Sequence, residues 1–389
     1  MKPLIFLNSH PIQYFAPLYQ QIASTTDIPL TVWYCSDESI RGKYDKGFGQ
    51  EVKWDIPLLE GYDFVFLKNN SWKPSIHRGF WGLMNLGVIS KLYKQQRSVI
   101  VVHGWAYWTN ATAIIFGKLF GHTICLRTET PLNQEMKKNR LLKLFKNIYL
   151  HFLFLFIDRF LYIGQQNKAF YQSLGVKENK LFFAPYAVDN KRFRSIYERT
   201  GKQAARSTLK IPLQSSVILF SGKYISKKRP MDLLKAFKEV ADDNDLLVMA
   251  GEGALRPEME LFVKENNLHG KVWLTGFINQ EQIPLYYCAA DIFVMCSGQG
   301  ETWGLSVNEA MNFAMPVIVS DTCGSAYDLV DDNMNGAVFE TGNIPQLSLL
   351  IKKFLQLSSE SKIQIREAAF RKMDQYSYET IITTLQQLQ

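Results

Sequence analysis

The feature that most constrains this chain is a rhythm. Short, continuous apolar runs alternate with helical stretches along almost the whole sequence. In the first half the runs are Leu4–Leu7, Leu30–Tyr34, Phe64–Leu67, Val99–Val102, Thr123–Leu126 and Phe160–Ile163. In the second half they are Val217–Phe220, Leu246–Ala250, Val272–Leu274, Ile292–Met295 and Pro316–Val319. Helical patterns such as Met231–Ala241 and Leu305–Phe313 fall between them. Strands that are apolar on both sides belong in parallel sheets covered by helices on each face. Two such sets predict an α/β chain of two Rossmann-like, doubly wound domains. Its 389 residues suffice for two cores of ordinary size.

The break between the sets lies near 186–212. Residues 190–210 are polar and basic and show no apolar period. The expected layout is therefore an N-terminal domain over 1–187, a linker over 188–212 and a C-terminal domain over 213–371. Residues 372–389 include a last helix, from Ser377, that crosses back to the N-terminal domain.

Composition removes several classes. Apolar residues make up 47% and charged residues 21%, as in a folded globular chain. The five cysteines include no CxxC pair and are odd in number, which argues against a disulfide framework and for a reducing, cytoplasmic setting. The opening MKPLIFLNSHPIQYF has too short an apolar run for a signal peptide and reads as a first strand. The net charge of +8 suits nucleic acid, a membrane surface or an anionic substrate without choosing among them. In the stretch 137–157, Lys137, Lys138, Arg140, Lys143 and Lys146 precede the run YLHFLFLFI. This run is too short to span a bilayer. Two readings stay open: a basic amphipathic helix lying on an anionic membrane, or a core helix with a basic exposed end.

The most specific stretch is GQGETWGLSVNEAMNFAMPVIVSDTCG, Gly298 to Gly324. It leads from a strand through a glycine loop into a helix. Free N–H groups near Thr302, Trp303, Gly304 and Leu305 suit a diphosphate, and Gly304 lets backbone approach closely. Glu301 precedes the helix and can take sugar hydroxyls. Glu309, about two turns on, can take the paired hydroxyls of a ribose. Taken alone, two glutamates at this spacing are usually a solvated helix face; the strand–loop–helix context and the lysines described next argue for function.

This stretch resembles the Glu–seven–Glu motif of retaining family-four glycosyltransferases, of the glycosyl transferases group 1 type with the GT-B fold. SGKYISKKRPMDLLKAF resembles the same family's basic segment, with Gly222 beside Lys223, and Lys228 in the second basic position. The family usually has arginine where Lys223 stands, so a forked phosphate grip becomes a point charge. PYAVDNKRF resembles the entry to the interdomain linker, where Asp189 reads as a turn residue. LTGFINQEQIPLYYCAADIFVMCS resembles the base-binding turn, with Gly276, Phe277 and Ile278. The first half matches more weakly: the loop SHPIQYFAP has no glycine where the family often has a glycine-rich turn. His103 falls where the family often has a histidine facing the donor sugar. His10, Arg127 and Glu129 fall on loops that point to the cleft.

The resemblance implies two domains facing across a cleft and a retaining transfer from a nucleotide-diphosphate sugar, most simply a UDP-sugar. The acceptor is then a glycan or a lipid-linked acceptor, in bacterial surface polysaccharide or glycoconjugate synthesis. Expected catalytic residues are Glu301, Lys228, Lys223 and His103. No DxD follows a donor-half strand, so neither a metal nor another cofactor is expected. An epimerase or phosphorylase of the same fold is an alternative class, but no lysine shows a pyridoxal phosphate context. NSHPIQ does not supply the GxGxxG of an NAD enzyme. A nucleic-acid-binding protein would show basic and aromatic residues interleaved on a sheet face, and no such module is evident.

Overall fold

The computed structural model describes residues 1–45, 47–135 and 139–389. Lys137 and Lys138 therefore lie outside the described residues. The chain divides into two compact units that are not contiguous in sequence: 1–43, 56–185 and 378–389 form the first, and 44–55 with 186–377 form the second.

In chain order the strands of the earlier half are β1 (Leu4–Asn8), β2 (Leu30–Tyr34), β3 (Lys43–Asp45), β4 (Gln50–Val52), β5 (Asp63–Phe66), β6 (Val99–His103), β7 (Thr123–Arg127), β8 (Arg159–Tyr162) and β9 (Leu181–Phe183). Those of the later half are β10 (Ser216–Ser221), β11 (Asp245–Ala250), β12 (Val272–Gly276), β13 (Ile292–Met295), β14 (Val317–Ser320) and β15 (Gly336–Phe339). Among the described residues the first unit holds a sheet in the order β5-β2-β1-β6-β7-β8-β9, and the second a sheet in the order β12-β11-β10-β13-β14-β15. Neighbouring strands within both of these sheets pair in parallel. β3 and β4 form a separate two-stranded ribbon.

The physical cause is burial on both sheet faces. Val99, Ile100, Val101 and Val102 in β6 are all fully buried, as are Val294 and Phe293 in β13. Each such side chain contributes about 1.5–3 kcal/mol of transfer free energy, and β-branched residues fit the pleat better than a helix. In both sheets the strand order reverses beside the first strand, between β1 and β6 and between β10 and β13. Open α/β sheets bind ligands at the carboxyl ends of strands at that reversal.

Two features go beyond the expected layout. The stretch 188–212, read as a linker, is mostly helix: Asn190–Leu209 is helical, kinked at Gly201, and belongs to the second unit. Asp189 caps it, its carboxylate accepting from the Arg192 amide at 2.9 Å. β3, β4, β9 and β15 were also not expected; all are three or four residues long. The last helix runs over Tyr378–Gln387 and packs in the first unit: the Tyr378 hydroxyl donates to the Tyr14 carbonyl at 2.9 Å, and Thr384 donates to that of Phe183 at 2.5 Å.

Candidate active site

In the second unit two loops meet at the reversal point, and a third follows the edge strand β12. The first leaves β10 through Gly222 and Lys223 and makes a tight turn at Ser226–Lys228 before the helix Pro230–Val240. The second leaves β13 and carries Glu301. The two are laced by the Gly298 amide, which donates to the Lys227 carbonyl at 2.7 Å. This brings the Lys228 ammonium to 2.5 Å from the Glu301 carboxylate, with Lys227 at 3.8 Å. Burial works to raise the Glu301 carboxyl, but the two lysines outweigh it and hold it below the usual range. Glu301 is thus an anion at neutral pH, buried beside a cation.

Glu309 lies on the short helix Leu305–Met311, almost fully buried, and its Oε2 accepts from the Tyr287 hydroxyl at 2.7 Å. Tyr287 was not singled out from sequence. That helix spans seven residues, so the positive charge at this site comes from the lysines more than from a helix dipole. Gly304 has a φ of +94°, and a Cβ there would stand 2.6 Å from Met295 Sδ and 2.8 Å from Cys323 Sγ. Its glycine is required by both conformation and packing.

The side chain of Trp303 belongs to the core, whereas the expectation for this residue concerned its backbone N–H. The ring is buried between Tyr186 and Tyr376, and its Nε1 donates to Asn308 Oδ1 at 2.8 Å. The ring is a core element that fixes the loop carrying Glu301 and Thr302, not a ligand face. The third loop follows β12: Gly276 has a φ of +81°, and the Gly251 amide donates to its carbonyl at 2.9 Å. Phe277 and Ile278 follow it. Arg229, unforeseen from sequence, sits in the left-handed region at φ 49° and is tied to Asp232 at 2.6 Å. No sequence signal marks such a residue, because left-handed arginine is uncommon.

The first unit has its own cluster at its reversal point. His103 ends β6, and the Phe15 and Phe6 rings lie 4.6 and 5.6 Å from its ring. Its Nε2 is buried without a hydrogen-bond partner among the described residues. Burial, then the nearby Arg127, push its pKa well below the ordinary histidine value. Arg127 is buried over the Phe15 ring and donates to the Pro185 carbonyl at 3.4 Å. His10 bonds Ser9 Oγ through Nδ1 at 2.9 Å, and burial lowers its pKa to about 4, partly countered by Glu38. Glu129 is half-buried after β7. An uncharged His103 with a free nitrogen can donate or accept a hydrogen bond, but it carries no charge at neutral pH.

The segment that carries the loops of the second unit also matches a known family. Residues 201–372 match the model of the glycosyl transferases group 1 family. This region is a group 1 glycosyltransferase domain. The domain's relatives include alpha-monoglucosyldiacylglycerol synthase of Acholeplasma laidlawii, 28% identical over 40% of this chain and 39% of that protein. They also include poly(glycerol-phosphate) alpha-glucosyltransferase of Bacillus subtilis, 22% identical over 96% of this chain and 48% of that protein. The chain thus spans less than half the length of each of these relatives. Among solved structures, HepE of Anabaena in complex with UDP superposes with a TM-score of 0.74 at 14% identity, over 99% of each chain. That likeness establishes the fold, which is GT-B.

Proposed function

We propose that this protein transfers a sugar, with retention of configuration, from a UDP-sugar to a glycan or lipid-linked acceptor in bacterial surface glycoconjugate assembly. The observation that carries the reading is the pair between Lys228 and the buried Glu301 at the sheet reversal, with Lys223 in the same loop after β10. Two ammonium groups there suit a diphosphate leaving group without a metal ion. The names of the two relatives above support an α product, and a relative of this fold has been solved with UDP bound.

The chemistry then divides as follows. Glu309, steadied by Tyr287, holds the ribose. Glu301 gives part of its charge to Lys228 and the rest to sugar hydroxyls, which leaves it unsuited to attack the anomeric carbon. Transfer proceeds on one face: the anomeric carbon–phosphate oxygen bond breaks, the bond to the acceptor oxygen forms, and the acceptor proton passes to the departing phosphate oxygen. Lys223 and Lys228 stabilise the charge that builds on that phosphate. The five cysteines, all free and buried, fit the reducing cytoplasmic side, where sugar nucleotides are made.

Calorimetric titration of UDP tests this division. Glu309→Ala and Lys228→Ala should each weaken UDP binding by about 1.5–3 kcal/mol, while Glu301→Ala should leave it nearly intact and impair transfer. Equal loss in both glutamate variants, with folding unchanged, would overturn the assignment.

A specific observation also favours peripheral membrane contact. Among the described residues no helix is long and apolar enough to cross a bilayer. The helix Arg140–Phe154 nonetheless turns Leu141, Phe145, Ile148 and Phe152 outward, while Leu150 and Leu153 face the core. A stripe at helical spacing exposed to solvent is a membrane-surface pattern. Its neighbour is the loop 71–82, whose Phe80 ring lies 6.4 Å from Tyr149 and whose Trp72 and Trp81 are 94% and 62% exposed. No acidic residue occurs between Asp63 and Glu129, while Lys68, Lys73, Arg78, Lys91, Lys94 and Arg97 do. Lys146 is a structural exception: it is 14% exposed and ion-paired with Glu135.

A further inference from the structure

Residues 44–55 come from the first half of the sequence but belong to the second unit. Their position there is specific. The Asp45 carboxylate receives the Lys223 ammonium on both oxygens, at 2.9 and 2.8 Å. The Gly47 and Phe48 amides donate to the same carboxylate at 2.7 and 3.1 Å, so its direction is fixed from behind. The Phe48 ring lies 4.6 Å from the Lys223 ammonium and edge-on to Phe277 at 4.8 Å. Trp54 approaches the same Phe277 ring at 6.2 Å. The far end is anchored by Asn279, which donates to the Lys53 carbonyl at 2.8 Å, and by the Glu281 amide, which donates to Asp55 at 3.1 Å. The packing is close at Gly47, where a Cβ would stand 2.6 Å from Lys223 Cδ and would push that side chain aside.

This segment therefore touches two parts of the donor site at once: the lysine expected to meet the diphosphate and the turn expected to meet the base. A carboxylate on Lys223 stands in for a phosphate oxygen, since both are anionic acceptors for the same ammonium. The pair is about one-third exposed on each side, the class of ion pair that is weak and easily exchanged. A donor diphosphate, with more charge than one carboxylate, can displace it.

We propose that residues 44–55 complete the donor site and that Asp45 is a built-in competitor for the diphosphate. Asp45 keeps Lys223 occupied while the site is empty, yields it when the nucleotide arrives and reclaims it as UDP leaves; Phe48 and Phe277 together wall the base. The proposal rests on the donor site described above. In such a scheme the apparent affinity for nucleotide is reduced by the fraction of molecules in which Lys223 is engaged elsewhere.

The test is titration of UDP and of uridine into the full-length protein and its variants, with thermal unfolding as a control for folding. Asp45→Asn should bind UDP several-fold more tightly and bind uridine unchanged, because uridine has no phosphate to compete. Phe48→Ala should lose several-fold in affinity for both. Unchanged or weaker UDP binding by Asp45→Asn would overturn the competitor role, and equal uridine affinity in Phe48→Ala would overturn the base wall. Glu309→Ala separates the two levels: if it loses UDP while Asp45→Asn and Phe48→Ala change nothing, this proposal alone falls. If it too binds UDP normally, the donor-site reading falls with it.

Discussion

His10 and His103 are held uncharged by burial, and this has a thermodynamic sign. A histidine whose pKa is lowered on folding binds more protons when unfolded, so stability falls as pH drops below the unfolded value near 6.5. For His10 the loss continues down to about pH 4, and for His103 its folded pKa lies well below the ordinary value. Each contributes a slope of up to about 1.4 kcal/mol per pH unit in that window. Urea unfolding between pH 7 and pH 5 should therefore show stability falling with acidity, and a His10→Asn/His103→Asn double variant should show a flatter dependence. An identical slope in the double variant would refute the account. The same scale shows what one-dimensional spacing can and cannot carry. Glu301 and Lys228 were expected in one site because their loops each follow a strand, and they meet at 2.5 Å. The direction of the Trp303 ring had no such signal, because a loop aromatic reads alike whether it faces a ligand or a core. Asp45 was illegible for another reason: its partner Lys223 is 178 residues away, and nothing local marks the meeting.

At the scale of elements, the long helix Asn190–Leu209 is the instructive case. It read as a linker because its residues are mostly polar. The structure anchors it by charge as well as by Phe193 and Ala205. Arg206, nearly fully buried, and Lys202 both reach Asp291 at 2.7 Å, and the Val217 amide donates to the same carboxylate at 2.7 Å. Asp291 therefore ties the helix to the first strand of its sheet. Asp291→Ala would leave the buried Arg206 charge without its counter-ion, held only by the Ala289 and Leu213 carbonyls, and should cost about 3 kcal/mol, read as a lower thermal midpoint; a change under about 1 kcal/mol would show that the ion pair does not anchor the helix. An apolar-period reading misses an element anchored this way. It also misses β9 and β15, whose three and four residues offer no period to count. The longer buried strands were legible within a residue or two at each end, because continuous β-branched runs have few other places to go.

At the scale of the whole molecule, the surface of the first unit and its charge act together. Lys143 adjoins the outward stripe of Arg140–Phe154, and Trp72 and Trp81 project from the neighbouring loop. Co-sedimentation with vesicles rich in phosphatidylglycerol should be weakened several-fold by Arg140→Glu/Lys143→Glu, each basic residue being worth about 1 kcal/mol near such a surface. It should be weakened further by Phe145→Ser/Ile148→Ser, while neutral vesicles bind poorly throughout. Lys146→Glu is expected to damage folding instead, through its pair with Glu135. Undiminished sedimentation of the first two variants would remove the membrane reading.

The division of the chain between its units bears on how the protein is made. Helix Tyr378–Gln387 completes the first unit, yet it is synthesised after all of the second. At ~5–20 residues per second, a ribosome that has finished residue 185 needs roughly 10–40 s more to deliver that helix. During this interval the groove beside Tyr14 and Phe183 lacks its cover. Until that helix is delivered, the nascent first unit exposes a face that the finished fold covers.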